Sequence, residues 1–364
     1  AGDAVPLADT GANIAAMSAA QIAALGAAGV DTIDASDDGL DLDLAQYAAL
    51  GTVTLAAGDT VTLADTGANL GALTAVEIAA LEGNGIDVID ASDDVVSLTV
   101  VQSGALGGVT FAAGDIVTLA DTGANIAAMS AVEIGALAAA GVDAIDASDD
   151  AITFNLAQYD SALGLVFDAT DKITVNGTDG DDTVTALAIG TKIKGGAGED
   201  TITGGIGDDK LMGNKGQDRL VGGAGEDTLK GGNNDDVLKG GSGDDTLHGG
   251  KGQDKMKGGD GVDTFTFKSI DDVGSGSKGR DLVTDFETGT DKIDLTGIDA
   301  RSGGSDQAFT FIGTAGFSNT KGELRYKVKD NGVLIRADVD GDGTKDFEIL
   351  LKGIDTIDAD DFLL

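Results

Sequence analysis

From Gly195 onward a unit of nine residues recurs without losing frame, beginning at Gly195, Gly204, Gly213, Gly222, Gly231, Gly240, Gly249 and Gly258. Its sixth position is always aspartate: Asp200, Asp209, Asp218, Asp227, Asp236, Asp245, Asp254 and Asp263. Its eighth is always apolar: Ile202, Leu211, Leu220, Leu229, Leu238, Leu247, Met256 and Phe265. A unit this short offers one side chain to an interior, so it cannot form a core alone. It must stack on copies of itself. Two weaker units precede it in the same frame, residues 177–185 with Asp182 and Val184, and 186–194 with only Ile193 preserved.

The glycines explain how such a stack turns. Positions one, two and four carry Gly195, Gly196 and Gly198, then Gly204, Gly205 and Gly207, Gly213 and Gly216, and Gly222, Gly223 and Gly225. The series continues with Gly231 and Gly232, Gly240, Gly241 and Gly243, Gly249, Gly250 and Gly252, and Gly258, Gly259 and Gly261. Residues free to take positive φ make a tight turn, which gathers carbonyl oxygens at one point. The aspartate adds a carboxylate, and a hard oxygen set of this kind suits calcium.

With two nonads per coil, units n and n+2 share an edge. Asp182, Asp200, Asp218, Asp236 and Asp254 then fall on one edge, and Asp209, Asp227, Asp245 and Asp263 on the other. If each adjacent pair shares an ion, the spacing predicts about seven calcium ions, in a body about 24 Å long at strand spacings of roughly 4.8 Å. A core of one side chain per nonad is too thin to offset carboxylate repulsion and glycine entropy, so folding is expected to be coupled to the ion.

Composition narrows the partners. With 63 acidic residues against 23 basic ones, the formal charge is −40, which excludes a nucleic-acid partner. The chain has one histidine, His248, and no cysteine. A zinc site of several His or Cys and a His-based catalytic triad therefore lack their residues, and no catalytic role is expected within this chain. His248 holds the ninth position of a nonad, which is expected to face solvent, as is the basic group Lys251, Lys255 and Lys257. No run of about 18 apolar residues is present to span a membrane.

A second, longer period occupies residues 1–175. The heptad LADTGAN occurs at 7–13, 63–69 and 119–125, and IDASDD at 33–38, 89–94 and 145–150, both spaced by 56 residues. Ala1-Gly2-Asp3 with Val5 and Leu7 repeats Ala57-Gly58-Asp59 with Val61 and Leu63, which predicts that the sequence opens inside a repeat of a longer protein. Ser18 with Gln21, Thr74 with Glu77 and Ser130 with Glu133 have capping-box spacing and predict helix starts. Gly29, Gly85 and Gly141 are placed to stop those helices. Leu40, Leu42 and Leu44, Val96, Leu98 and Val100, and Ile152, Phe154 and Leu156 alternate as half-buried strands do. The predicted architecture is a β/α repeat solenoid. The IDASDD aspartates admit two readings, a calcium-bridged acidic ladder or polar turns.

The nonads match GGxGxDxUx, and on those residues the chain resembles the repeats-in-toxin (RTX) family of calcium-binding β-rolls. The resemblance extends past the roll. Gly279-Arg280-Asp281-Leu282-Val283-Thr284-Asp285-Phe286, and Asp291-Lys292-Ile293-Asp294-Leu295 after it, look like the C-terminal domain of serralysin-type secreted proteases. So does the stretch from Ala337 to Phe347. The ending Asp361-Phe362-Leu363-Leu364 is similar to the terminus recognised by bacterial type I secretion systems. The resemblance implies export unfolded and folding outside the cell, where calcium is plentiful.

Asp338, Asp340, Asp342 and Gly343 also fit the start of an EF-hand-like loop, although its twelfth position is Ile349, with Glu348 one place early. A polar turn is the other reading of that loop. The expected organisation is therefore mainly β. Three 56-residue β/α repeats at 1–175 precede a calcium-bound parallel β-roll at 176–266 and a β-rich secretion domain at 267–364.

Two functions fit this organisation. The first is a cell-surface or extracellular matrix protein of adhesin or surface-layer type, with surface glycans or its own copies as partners. The second is the secretion and folding module of an extracellular enzyme, a protease, lipase or alginate epimerase, whose catalytic domain lies upstream. The serralysin zinc motif HExxHxxGxxH is absent from this sequence.

Overall fold

The computed structural model describes residues 5–273, 279–301 and 307–364. The expected Ala1-Gly2-Asp3 repeat start lies outside them. The chain divides into two compact units, one of Ala1–Ile152 with Ala157–Asp171, the other of Thr153–Leu156 with Lys172–Leu364.

In the first unit each repeat runs strand, two helices, two strands, short helix, short strand. The middle repeat shows the pattern, with Thr60–Asp65, Gly67–Gly71, Ala75–Leu81, Val88–Ala91, Val95–Leu98, Val100–Ser103 and Thr110–Phe111. All its strand pairings are parallel, and strands of successive repeats join: Leu40 pairs with Val61 and Val96 with Val117. The capping boxes form at Ser18, Thr74 and Ser130. Gly29, Gly85 and Gly141 take φ of +86°, +85° and +85°, the left-handed conformation that ends a helix without a Cβ penalty. Ile22, Ile78 and Ile134 lie on the buried faces of these helices.

The alternation reading overreaches at its last residue in each repeat. Leu44, Val100 and Leu156 open short helices rather than ending strands. Asp43 with Gln46 and Thr99 with Gln102 form further capping boxes that stop the strand there. The glutamine then does a second job. Gln102 Nε2 donates to the carbonyls of Gly71 and Leu73 at 2.8 and 2.6 Å, and Gln46 and Gln158 repeat this on their own loops.

In the second unit the nonads wind a parallel β-roll with two facing sheets, alternate nonads falling in alternate sheets. In one sheet Ile193, Leu211, Leu229, Leu247, Phe265 and Ile293 stand in successive register. In the other Ile202, Leu220, Leu238, Met256, Val283 and Leu351 do the same. All twelve side chains are fully buried, so the interior is a double row of one residue per nonad.

Both sheets continue into 267–364, which belongs to the same compact unit as the roll. Lys292–Asp294 and then Phe362–Leu363 extend the first sheet. Asp281–Val283 and Phe347–Lys352 extend the second, after which Gly332–Asp338 and Glu323–Lys329 add antiparallel strands. The switch to antiparallel pairing ends the repeat, and there Phe309, Phe347, Val333 and Ile335 are buried in place of the single row.

Candidate metal centre

The aspartates of position six stand in two ladders, one at each edge of the roll. Each uses its two oxygens differently. Oδ1 accepts the backbone N–H of the aspartate one coil earlier: Asp218 from Asp200 at 2.9 Å, Asp236 from Asp218 at 2.8 Å, Asp254 from Asp236 at 2.8 Å. The opposite edge repeats this from Asp209 through Asp227 and Asp245 to Asp263.

Oδ2 of Asp200, Asp209, Asp218, Asp227, Asp236, Asp245, Asp254 and Asp263 is buried and has no hydrogen-bond partner. A buried carboxylate oxygen left without a donor or cation costs several kcal/mol. Eight in two regular rows are not a packing accident.

The glycines shape the space that those oxygens face. A Cβ added to Gly222 would meet Asp227 Oδ2 and lie 2.7 Å from the carbonyl oxygen of Gly240, and one on Gly231 would meet Asp236 Oδ2 and the Gly249 carbonyl oxygen. Position one is thus glycine for room, because a side chain would fill the gap between carboxylate and carbonyl. Positions two and four are glycine for conformation, with φ between +99° and +143° from Gly196 to Gly261. Where the sequence departs from glycine, Asn214 and Asn234 take the same left-handed turn at φ +79° and +78°, as asparagine most readily does.

Buried oxygens, converging carbonyls and absent side chains fit a calcium ion at each such gap, and the aspartates and position-one glycines would hold it. Without the ion, the cost shows in the acidities. Burial, reinforced by neighbouring carboxylates, pushes Asp236 up to about 8 and Asp209, Asp245 and Asp254 up to about 7. Asp200 and Asp263 rise to about 6, again chiefly through burial. When bound, calcium supplies the positive charge that keeps these groups ionised inside the fold.

Asp182 behaves differently from the ladder it begins. Position two of its nonad is Thr178, whose N–H and hydroxyl donate to the Asp182 carboxylate at 2.6 and 3.0 Å. Both of its oxygens are thereby engaged, and Asp182 closes the row. Asp281 and Asp291 continue the ladders past the last nonad. Asp281 accepts from Asp254 N–H at 2.8 Å, and Asp291 from Asp263 N–H at 3.0 Å. Sequence reading passed over both as ladder residues, yet Gly279-Arg280-Asp281-Leu282-Val283 preserves positions four, six and eight of a nonad.

The loop near 340 brings together Asp338, Asp340 and Asp346, with ligand atoms within 4.8 Å of one another. Asp342 is not in that group, and its carboxylate instead accepts from the N–H and hydroxyl of Thr344. Asp338 accepts from Gly341 and Gly343 N–H, and Asp346 from Val339 N–H, so the loop's own amides occupy these carboxylates. Glu348 is engaged with Arg336 at 2.7 Å and Lys345 at 3.0 Å.

In the 56-residue repeats, Asp37, Asp93 and Asp149 Oδ1 each accept the first helical N–H, of Gly11, Gly67 and Gly123, at 2.7 Å. Asp38, Asp94 and Asp150 turn the chain at φ +59°, +58° and +53°. His248 is half-buried rather than solvent-facing, with Nδ1 2.9 Å from the Thr266 carbonyl oxygen.

The two ladders, the glycine-lined gaps and the coiled parallel sheets define a calcium-binding parallel β-roll. Residues 194–229 and 230–265 match the family described as RTX calcium-binding nonapeptide repeat (4 copies), and this stretch of the chain consists of RTX repeats. The chain is also similar to the solution structure of the AlgE6R3 subunit from the Azotobacter vinelandii mannuronan C5-epimerase. That likeness has 23% identity and a TM-score of 0.24, over 51% of this chain and 80% of the other. No curated protein matches the chain. Among the described residues no helix is long and apolar enough to cross a membrane.

Proposed function

We propose that this chain is part of a secreted, calcium-dependent cell-surface or extracellular matrix protein of adhesin or surface-layer type, folded by calcium after export through a type I system. The observation that carries the calcium dependence is the set of unpartnered, buried Oδ2 atoms along both edges of the roll. A chain with those groups is stable where the ion is plentiful and strained where it is scarce, which favours folding outside a cell.

The surface role rests on the other unit. Two of its repeats expose a valine at the same position, Val76 and Val132, 56 residues apart and 80% and 82% exposed, where the first repeat has Ala20. A periodic face of this kind suits a repeating ligand such as a glycan, or a second copy of the chain. The export reading draws on the C-terminal strand. Phe362 and Leu363 pair with Ile293 and Asp294 in the folded roll, so a secretory receptor would read that segment before the roll closes.

The test is far-UV circular dichroism of the full chain in EGTA and then in millimolar calcium, followed by glycan-array binding in both buffers. The expected result is a calcium-dependent gain of β-structure with the helical signal unchanged, and calcium-dependent retention on glycans. Identical spectra in both buffers would overturn the folding claim. Calcium-dependent folding without glycan binding or self-association would overturn the adhesive one.

A further inference from the structure

The ladder of buried carboxylates does not end where the nonads end. Asp281 lies outside the matched repeats, which stop at residue 265, yet it repeats the geometry of a nonad aspartate. Its Oδ1 accepts Asp254 N–H at 2.8 Å, within the range of the ladder bonds inside the roll. Its side chain is 0% exposed, and its Oδ2 has no hydrogen-bond partner. Val283, two residues on, takes the inward position above Met256.

The sequence places Asp281 on the wrong edge. It stands eighteen residues after Asp263, which by the nonad count would extend the ladder of Asp209, Asp227, Asp245 and Asp263. Instead it stacks on Asp254, twenty-seven residues earlier. The described part of the intervening nonad, residues 267–273, forms the short helix Ile270–Val273, and Asp272, the nonad's sixth residue, accepts from Lys268 and Ser269 N–H. One missing rung shifts Asp281 to the other edge.

The surroundings of Asp281 are anionic. The carboxylates of Asp254, Asp272 and Asp235 oppose a negative charge on it, while the neighbouring Arg280 lies 3.9 Å from Glu348. Asp291, its counterpart on the other edge, differs: one oxygen accepts Asp263 N–H and the other accepts Glu287 N–H at 2.9 Å. Asp291 is a terminus, whereas Asp281 has an oxygen to spare.

We propose that Asp281 is a calcium ligand, its Oδ2 binding an ion beyond the nonapeptide repeats, so that the row on the Asp254 edge extends one site into the C-terminal segment. Asp291 closes the other row without an ion of its own. The C-terminal segment is therefore loaded by the same cation as the roll, and its docking depends on calcium.

The experiment counts calcium bound to the full chain by equilibrium dialysis and elemental analysis, for the wild type, Asp281→Asn and Asp291→Asn. Asparagine keeps Oδ1 as an acceptor for the ladder N–H and replaces only Oδ2. Asp281→Asn is expected to lose one ion per chain and Asp291→Asn none. Equal stoichiometry in Asp281→Asn and wild type overturns the proposal, as does an equal loss in both variants. If Asp281→Asn does not fold, anomalous diffraction from calcium-grown wild-type crystals decides. An ion about 2.3–2.6 Å from Asp281 Oδ2 supports the site, and none there refutes it.

Discussion

Replacing Asp236 by asparagine should change stability with opposite sign in the two calcium states. Asp236 is 1% exposed, its Oδ1 accepts Asp218 N–H at 2.8 Å and its Oδ2 has no hydrogen-bond partner. Without calcium, burial raises its pKa from 3.8 to about 8. At pH 7 the folded state therefore holds a proton that the unfolded state has released. At about 1.4 kcal/mol per unit, the roughly three units between the unfolded value and pH 7 amount to on the order of 4 kcal/mol against folding. Asparagine keeps the ladder bond and removes that cost, so Asp236→Asn should increase β-structure in EGTA.

With calcium the sign reverses, because the ion loses an anionic ligand. Losing an ion held at a hundredfold its Kd removes about 2.7 kcal/mol of stability. Guanidinium unfolding of the full chain, followed by circular dichroism in EGTA and in millimolar calcium, measures both. A variant destabilised equally in the two buffers would refute the reasoning, since Oδ2 would then be an ordinary packing atom.

Three further outcomes follow from the same geometry. The raised aspartate values mean that, without calcium, their stabilising contribution is fully present below about pH 4 and lost as pH climbs through roughly 6 to 8, where Asp200, Asp209 and Asp236 titrate. A pH titration in EGTA should show β-structure at pH 5 that disappears by pH 8, while calcium affinity moves the other way. Gly222→Ala puts a methyl group against Asp227 Oδ2 and the Gly240 carbonyl, and should raise the calcium midpoint at least tenfold, about 1.4 kcal/mol, in a circular-dichroism titration. Gln102→Ala leaves the Gly71 and Leu73 carbonyls without their side-chain donor, and should cost about 1–3 kcal/mol of thermal stability in the helical signal, equally with and without calcium.

The roll was legible because one period carries both its turn chemistry and its core, so frame, edge and inward face all follow from counting. Its ends were not. Whether Asp182 is free depends on Thr178, one substitution in a turn, and whether Asp281 continues a ladder depends on a nonad that keeps its frame yet forms a short helix. In the 56-residue repeats, helix starts with a hydroxyl cap were readable. The helices at Leu44 and Val100 were masked because apolar alternation ran one residue past the strand, and only the box of Asp43 with Gln46, or Thr99 with Gln102, marks the change. The acidic loop shows a third limit. Spacing along the chain selected Asp342, whereas the folded turn brings Asp346 to Asp338 and Asp340.

Because each aspartate clamps the amide of the coil before it, the ladder has a direction. An ion that fixes the Asp254 carboxylate also fixes the oxygen holding Asp236 N–H, and so prepares the next gap towards Asp218. Sites joined in this way form a one-dimensional lattice with nearest-neighbour coupling, in which order spreads from a stable end. The end at Asp281 and Asp291, where both sheets run on into the C-terminal segment, is the natural seed. The steepness of the calcium response is then set by the number of rungs, and lengthening or shortening the array by a coil tunes a threshold without altering any single site.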